Sequence, residues 1–438
     1  IPEVEKQHSP NSRVNVTSRL YRHTIDPDGV LASRIERPMM KHVLASTVLA
    51  ALASTTSLTS ARADDANGWE FDGVPSWSQA GSGDSFTFRG RIYLDAANIE
   101  FDRAGVTTAY DDSEIRTARL GVTGQFSGIG YVAEFDLIND QIAANDVYLT
   151  FRGDGFDLLL GHMKTPNSLE EQTSSRYITF MERGAGTDLF ALDRRVGVAL
   201  AHRGDNYTVK AGLYGGRPGD LSESLELDDS SAFAARVTYL PVHSDDLLVH
   251  LGASLRQMDY GDAGTRVRVR PNTHLTDRIV SADFRPASAL GEAGRSTFIG
   301  LEAAAVSGPF HAHGEYMTMA LDGPASSPRF TSAFVNLGYF LTGETRSYST
   351  SGGTFSRTRP ASPVSEGGMG AVELAARFDY SDMNDVAAGE LTSWTLGVNW
   401  YVEDHFRVMA NYVTGELAVP GAANTDVSGP QIRVQWDF

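Results

Sequence analysis

The stretch Gln431-Ile432-Arg433-Val434-Gln435-Trp436-Asp437-Phe438 ends the chain and alternates strictly between polar and apolar residues. Successive side chains of a β-strand point to opposite faces, so the four apolar residues share one face and the four polar residues share the other. An exposed apolar edge strand in water would promote aggregation. The same strand is stable if lipid covers its apolar face, water covers its polar face and the strand closes a barrel. The stretch therefore predicts a transmembrane β-barrel.

The same alternation recurs in about sixteen segments from Asp84 onward. In the second half of the chain it predicts strands at about 296–307, 310–319, 329–341, 370–381, 391–402, 405–414 and 429–438. Each is near the roughly 9–11 residues that a tilted strand needs to cross a bilayer. Tight turns alternate with long connections, which is the usual difference between the two ends of such a barrel. We therefore expect an all-β, antiparallel transmembrane barrel of sixteen strands over residues 84–438.

A soluble β-sandwich or propeller would also show alternating strands. Its outward face should be mostly polar, and the sequence contains no repeat of the length of a propeller blade. The polar connection at 164–193 lies between predicted strands and is long enough to fold inward and constrict the barrel. A second long connection covers residues 259–295.

The beginning of the chain predicts export. Residues 1–38 have no apolar period and are interpreted as an upstream or non-native segment. Residues 39–63 contain a charged start, a weakly apolar run and Ala61-Arg62-Ala63, which together predict a signal peptide. A transmembrane helix is a poor alternative because the run is short and rich in Ser and Thr. The mature chain would start at Asp64, with residues 64–83 as a periplasmic N-terminal segment.

Composition excludes several classes of protein. The 438 residues include no cysteine, so disulfides and thiolate chemistry are excluded. Removing residues 1–63 leaves 29 basic and 50 acidic residues, a formal charge of −21, which argues against nucleic acid as a partner. No later stretch approaches the length of an apolar transmembrane helix, so membrane insertion must use strands.

Three arginines in the second long connection are candidate anion ligands. Arg266, Arg268 and Arg270 alternate with valine, so in an extended chain their guanidinium groups project from one face, about 6–7 Å apart. Guanidinium is permanently charged and its planar donor fork suits oxyanions, and a row of such groups makes a graded path. An edge strand that uses like charges against aggregation has the same spacing. Spacing alone does not decide between the two.

Four segments together resemble the phosphate-selective porin O/P family over nearly all of the predicted mature chain. They are Leu160 to Glu170, Arg266 to His274, Gly338 to Glu344, and Gly370 to Tyr380 with Trp394 to Tyr401. The resemblance implies a trimeric, sixteen-stranded porin of the bacterial outer membrane, in contact with lipid and lipopolysaccharide. It also implies an inward third loop and an arginine ladder that leads small anions, such as phosphate and polyphosphate, toward a lysine-bearing constriction.

The family's motifs transfer to individual residues. Arg266, Arg268 and Arg270 fall on its R-x-R-x-R-P run and would be ladder members, and Lys164 falls on the lysine of its G-x-x-K-x-P segment. Asn167 and Asn272 depart from the usual aromatic and acidic residues at their positions. The predicted mature chain has two lysines, Lys164 and Lys210, so a phosphate site built on several lysines is not reproduced.

Strand parity adds further basic residues on the predicted lumen face. The anion-binding candidates from the strands are Arg89, Arg91, Arg119, Lys210, Arg236, Arg256, Arg377 and Arg433. Acidic residues predicted on the same face are Asp95, Glu134, Asp136, Glu315, Glu373 and Asp379. For each of them a solvated lumen wall is the simpler interpretation. Lys210 and the pair Arg89 and Arg91 stand out because no adjacent same-face carboxylate is expected to neutralise them fully.

Other functions are less well supported. The chain contains no Gly-Lys pair for a P-loop, no H-E-x-x-H and no G-x-S-x-G, and we predict no cofactor and no enzymatic activity. His311, His313 and Glu315 share one strand face as a weak metal candidate, and we predict no metal. The leading hypothesis is an anion-selective porin. The alternative is a general or cation-preferring porin of the same fold, which the acidic total favours.

Overall fold

The computed structural model describes residues 67–71, 74–138, 141–218, 227–323 and 327–438. The predicted upstream segment and signal peptide lie outside these residues. Within them, sixteen antiparallel strands form one closed barrel, which confirms the predicted class and strand number. No helix among the described residues is long and apolar enough to cross a bilayer.

A hairpin of β1 (Asn67–Phe71) and β2 (Pro75–Gln79) precedes the barrel. The barrel strands of the first half are β3 (Ser85–Arg103), β4 (Val106–Phe126), β5 (Ile129–Asp136), β6 (Ala143–Arg152), β7 (Asp157–Lys164), β8 (Arg194–Arg203), β9 (Tyr207–Tyr214), β10 (Ser231–His243) and β11 (Leu248–Asp259). A smaller hairpin, β12 (Thr265–Val269) and β13 (Val280–Phe284), lies in the connection that follows β11.

The barrel continues with β14 (Arg295–Ser307), β15 (Phe310–Asp322) and β16 (Arg329–Phe340). Two short strands, β17 (Tyr348–Ser349) and β18 (Thr354–Phe355), lie in the next connection. The last barrel strands are β19 (Ala371–Asp382), β20 (Glu390–Glu403), β21 (Phe406–Ala418) and β22 (Thr425–Asp437). Short 3₁₀ turns cover Gly261–Ala263, Val364–Glu366 and Asn384–Val386.

The terminal strand has the predicted faces. Ile432 and Trp436 are each 46% exposed on the outer wall, whereas Gln431, Arg433 and Gln435 are buried inside the barrel. An apolar outer face and a polar inner face are the arrangement that a barrel in lipid requires. The alternation read from the sequence is therefore confirmed for this strand.

The seam of the barrel joins the first and last strands. β22 pairs with β3, and the terminal Phe438 exchanges two backbone hydrogen bonds with Gly90, of 2.8 and 3.0 Å. A Cβ at position 90 would lie 2.6 Å from the Phe438 ring, so the terminal aromatic packs directly over a residue without a side chain. β2 pairs with β3 next to this point, so the paired strands β1 and β2 are attached to the wall. Their periplasmic location stays a prediction.

The connection 165–193 crosses the interior of the barrel. It contains two short helices, α1 (Leu169–Gln172) and α2 (Ala185–Leu189). Its backbone carbonyls accept hydrogen bonds from Arg256 (2.7 Å), Arg377 (2.8 Å), Asn399 (2.8 Å), Arg407 (2.9 Å) and Gln435 (3.0 Å). These donors come from five barrel strands, so the connection is held from several sides of the lumen.

A second connection, 341–370, also folds inward, and it comes from the opposite end of the barrel. Arg346 donates to the carbonyl of Tyr177 (2.9 Å) and contacts the hydroxyl of Thr179, so the two inward connections meet. Tyr348 lies 2.5 Å from the His250 ring nitrogen. The sequence predicted tight turns at this end of the barrel, and the 341–370 connection is a long exception among them. Its inward path depends on contacts with residues far away in the chain, which strand periodicity does not reveal.

Arg377 is the central anchor of the 165–193 connection. Its guanidinium donates to Glu170 (2.8 Å), to Asn336 (2.7 Å) and to the carbonyl of Glu182 (2.8 Å), and it is fully buried. It also stacks over the Phe180 ring at 4.5 Å. Charged groups so deeply buried are tolerated only when paired and hydrogen-bonded, as this one is.

We expect the substitution Arg377→Met to release the 165–193 connection while the barrel stays closed. Removing one partner of a buried ion pair costs about 3 kcal/mol or more, because the buried Glu170 carboxylate loses its arginine and keeps, among the described residues, only His313. Trypsin should then cleave within 165–193, and single-channel conductance should rise. Arg329→Met is the matched control, because the Arg329 side chain is exposed and makes no hydrogen bond within the described residues. Equal protease resistance of both variants would contradict this anchoring role.

Candidate functional site

A cavity of about 260 Å³ lies in the middle of the barrel, and we call it the central cavity. Among the described residues, its basic lining consists of Arg89, Arg91, Arg116, Arg119, Lys164, Arg176, Arg183, Arg194, Lys210 and Arg433. Its acidic lining consists of Asp146 and Glu182. Four further carboxylates contact these basic groups from outside the lining: Asp95, Glu134, Asp136 and Glu171. Ten basic groups against six carboxylates leave the cavity strongly positive, although the whole chain is acidic.

Two further cavities adjoin the central one. The loop-side cavity, about 270 Å³, shares Arg116, Glu182 and Arg183 with it, and we call these three residues the junction. Arg270 and Arg278 line the far part of the loop-side cavity. A turn-side cavity of about 20 Å³ shares Arg176 with the central cavity and is also lined by Arg357 and Arg407. The three cavities form a succession from one end of the barrel to the other, with arginine in each.

Sequence reasoning missed Arg116 because of a β-bulge. The β3–β4 register shifts between Tyr93 and Leu94, which pair with Thr117 and Ile115 and leave Arg116 as the extra residue. The bulge lets Arg116 face the lumen as Arg119 does, although the two are three positions apart. Strict alternation would have placed Arg116 against lipid. The unfavourable burial of an arginine there is the one sequence signal that could have indicated the bulge.

Other basic residues of the cavities belong to connections or strand ends. Arg176 and Arg183 lie in the 165–193 connection, and Arg194 begins β8. Arg278 lies in the 259–295 connection and Arg357 in the 341–370 connection. Arg194 pairs with Asp146 at 2.9 Å, and Asp146 faces inward next to a second bulge, at Asn145. The alternation of side chains predicts their direction only within strands. For the 164–193 connection, the many charged residues were the sequence signal that pointed to the lumen.

The pair Arg89 and Arg91 was expected to have no adjacent same-face carboxylate that neutralises it fully, and the structure places one carboxylate against both arginines. The Glu134 carboxylate on β5 accepts a hydrogen bond from Arg89 at 2.8 Å and another from Arg91 at 2.9 Å. β4 lies between them, but it presents Gly121 at this position, and the absent side chain lets the carboxylate reach across. Both arginines still line the central cavity.

The two lysines differ in their surroundings. The Lys164 ammonium lies 3.4 Å from the Glu171 carboxylate and also contacts the carbonyls of Glu171 and Thr173, so it fastens the inward connection. Lys210 lines the same cavity and has no hydrogen bond or ion pair among the described residues. Lys210 is therefore the more available cation.

The remaining candidates from the strands fall into two groups. Arg119 and Arg433 line the central cavity and are paired with Asp136 and Asp95. Arg236, Arg256 and Arg377 are buried and lie outside its lining. Arg236 binds Glu302 at 2.6 Å, and Arg256 binds backbone carbonyls of the 165–193 connection. Arg256 and Arg377 therefore anchor the 165–193 connection, and Arg236 also donates to the carbonyl of Gly353 in the 341–370 connection at 2.8 Å. Anion binding by these three arginines stays a prediction.

The three arginines of the 259–295 connection, Arg266, Arg268 and Arg270, lie on or beside β12. Val267 and Val269 are buried between them, so the side chains alternate as expected. Arg266 binds Asp283 at 2.6 Å. Arg285 and Arg266 together hold the pKa of Asp283 below its usual range. Within the described residues, Arg268 has no ion pair, and the side chain of Arg270 donates only to the carbonyl of Thr276. Two of the three positive charges are thus left uncompensated.

Arg268 and Arg270 face a crowded positive environment. Burial and the nearby charge of Arg278 lower the pKa of both groups, which stay protonated because guanidinium is so basic. Arg266 and Arg268 line a side cavity of about 460 Å³, and Arg270 lines the loop-side cavity. The row therefore leads from the side cavity toward the junction.

The candidate metal residues serve other contacts. The ring nitrogen Nε2 of His311 lies 2.7 Å from Glu373, and that of His313 lies 2.9 Å from Glu170. Glu315 accepts from the hydroxyl of Ser168 at 3.0 Å. His313 and Glu315 thereby hold the 165–193 connection, whereas His311 contacts another wall strand. The described part of the chain contains no cluster of three His, Asp or Glu side chains that could bind a metal ion.

Comparison with known proteins relates this geometry to a family. A family model described as phosphate-selective porin O and P matches residues 86–438. An uncharacterized protein of Caulobacter vibrioides is 35% identical over 359 residues, which cover 78% of this chain and 70% of that protein. Porin O of Pseudomonas aeruginosa is 26% identical over 403 residues, which cover 81% of this chain and 88% of that protein.

Solved structures agree on the fold. OmpT of Vibrio cholerae aligns with a TM-score of 0.50 at 14% identity, covering 82% of this chain and 100% of that one. An anion-selective porin from Comamonas acidovorans aligns with a TM-score of 0.50 at 13% identity, covering 81% and 100%. The family model and the closed sixteen-stranded barrel lead to one conclusion: the chain belongs to the phosphate-selective porin O and P family and is an outer-membrane porin, which forms a channel.

Proposed function

We propose that this porin is an anion-selective diffusion channel for phosphate and related small oxyanions. The observation that carries the proposal is the succession of three arginine-lined cavities through the barrel, with ten basic groups around the central one. A positive, partly desolvated lining concentrates anions and repels cations. Diffusion needs no catalytic group and no cofactor.

Capture would begin at the arginine row. Arg268 and Arg270 carry the uncompensated charges, while Arg266 is largely neutralised by Asp283. An oxyanion would pass from them to the junction and then to the central cavity. Planar guanidinium forks suit the tetrahedral oxygens of phosphate, and several moderate sites in series allow release as well as entry.

The two lysines would have different roles. We assign Lys210 to contact with the anion, because its ammonium has no partner among the described residues. We assign Lys164 mainly to holding the constricting connection through Glu171, with a secondary contribution to the cavity's charge. Because arginine supplies most of the lining, the proposed substrate class extends to polyphosphate.

The alternative is a general or cation-preferring porin, and the acidic total charge favours it. The lining argues against it, because a pore's selectivity depends on the groups nearest the solute. In either case we propose a trimer in the outer membrane, surrounded by lipid and lipopolysaccharide, as the family resemblance implies.

The first prediction concerns ion selectivity. The purified protein in a planar bilayer under a KCl gradient should give a reversal potential that indicates chloride preference; a preference for potassium would overturn the proposed function. The double substitution Arg268→Gln with Arg270→Gln should lower the chloride-to-potassium permeability ratio by about threefold, since it removes two uncompensated charges. Arg266→Gln is the matched control and should change the ratio much less, because Asp283 already neutralises Arg266.

The second prediction separates the two lysines. Lys210→Gln should weaken the block of chloride current by phosphate by roughly threefold without changing the pore's resistance to protease. Lys164→Gln should instead make the 165–193 connection more sensitive to trypsin, because it loses the contacts to Glu171 and Thr173. Identical effects of the two substitutions on both measurements would contradict the assignment.

The third prediction addresses the preferred anion. Chloride current should be blocked by phosphate and by pyrophosphate at lower concentrations than by sulfate, because phosphate species can both donate and accept hydrogen bonds among the arginines and carboxylates of the central cavity. Titration of each anion against chloride current measures the order. Equal or stronger block by sulfate would indicate a general anion channel.

A further inference from the structure

Glu182 supplies the acidic side chain of the junction between the central and loop-side cavities. Its two carboxylate oxygens each accept a hydrogen bond of 3.0 Å from Arg116, in a bidentate pair. One of them also accepts from Arg433 at 2.8 Å. The side chain is 21% exposed, so it forms part of the surface that a passing solute meets.

The position of this carboxylate is fixed by its backbone. The carbonyl of Glu182 accepts from Arg377 at 2.8 Å, and the carbonyl of Met181 accepts from Arg433. The side chain therefore does not reach Arg116 through a mobile loop. These two contacts hold the 165–193 connection, and with it the Glu182 carboxylate, at the junction.

The two arginines need Glu182 to different degrees. Arg433 already has a complete partner in Asp95, which accepts from it at 2.6 and 2.7 Å. Arg116 has no other ion pair among the described residues. Glu182 thus occupies the donor fork of Arg116, the same planar fork that would receive a solute oxyanion.

The two arginines favour the ionised form of the Glu182 carboxylate. Burial alone would raise the pKa of Glu182, but the positive charges of Arg116 and Arg433 hold the pKa well below its usual range. A permanent anion therefore stands where the mobile anion would bind.

We propose that Glu182 determines specificity and throughput as a built-in competing anion. It competes with the translocating oxyanion for Arg116, which weakens capture at the junction and speeds release into the next cavity. Conduction requires such a limit on affinity, because a site that binds too tightly retains the ion. The inference rests on the proposed function and extends it by naming the residue that sets binding strength.

The test is Glu182→Gln, which keeps the shape of the side chain and removes its charge. The phosphate concentration that half-blocks chloride current should fall about tenfold, and individual blocking events should lengthen, because Arg116 loses its internal partner. Glu114→Gln is the matched control. Glu114 lies on the same strand as Arg116, lines neither cavity and pairs with His274 at 2.6 Å. The control should leave the half-blocking concentration unchanged.

An unchanged or higher half-blocking concentration in Glu182→Gln would overturn the inference and indicate that Glu182 only positions Arg116. Should this variant fail to reach the folded barrel, judged by heat-modifiable migration in gels, Glu182→Asp is the second test. Its shorter side chain withdraws from the fork, and we expect a smaller decrease in the same direction; no decrease overturns the inference.

A separate measurement distinguishes failure of the proposed function. If phosphate does not block the wild-type pore, the proposed function is wrong, and the reversal potential in a KCl gradient then tests Glu182 alone. Glu182→Gln must still shift that potential toward chloride relative to wild type. Absence of the shift would overturn the competing role as well.

Discussion

Every backbone amide in a wall that faces lipid must find its hydrogen-bond partner within the protein, because hydrocarbon offers none. The pairing of β22 with β3 meets this requirement for the two strands that would otherwise be edges. The terminal Phe438 takes part through its own backbone and lies over Gly90. Ring closure fixes which face of every strand looks inward, and hence which side chains can meet in the lumen.

Closure also explains how an acidic chain has a basic interior. Six carboxylates line the central cavity or contact its basic groups, so the net charge of the sequence does not describe this cavity. Arginines and carboxylates are matched between different strands, as Glu134 on β5 is with Arg89 and Arg91 on β3. The positive excess arises on the barrel strands, which supply eight of the ten basic groups and four of the six carboxylates counted around the central cavity.

The sequence allowed the barrel, its strand number and the faces of the terminal strand to be predicted, because period-two alternation is a local property. The cavity lining was predicted only in part. Arg116 required knowledge of a bulge, which depends on the register between β3 and β4. The partner of Arg91 lies two strands away, and the inward path of 341–370 depends on contacts such as Tyr348 with His250. These features are set by tertiary neighbours, whose identity a single sequence does not reveal.

The 165–193 connection touches both sides of the barrel seam. Ser175 binds Arg91 on β3, and the Met181 carbonyl accepts from Arg433 on β22. The connection therefore bridges the first and last barrel strands from the inside. Residues on both sides of the seam also hold the segment that fills the lumen, so the contacts that close the cylinder and those that narrow its interior support one another.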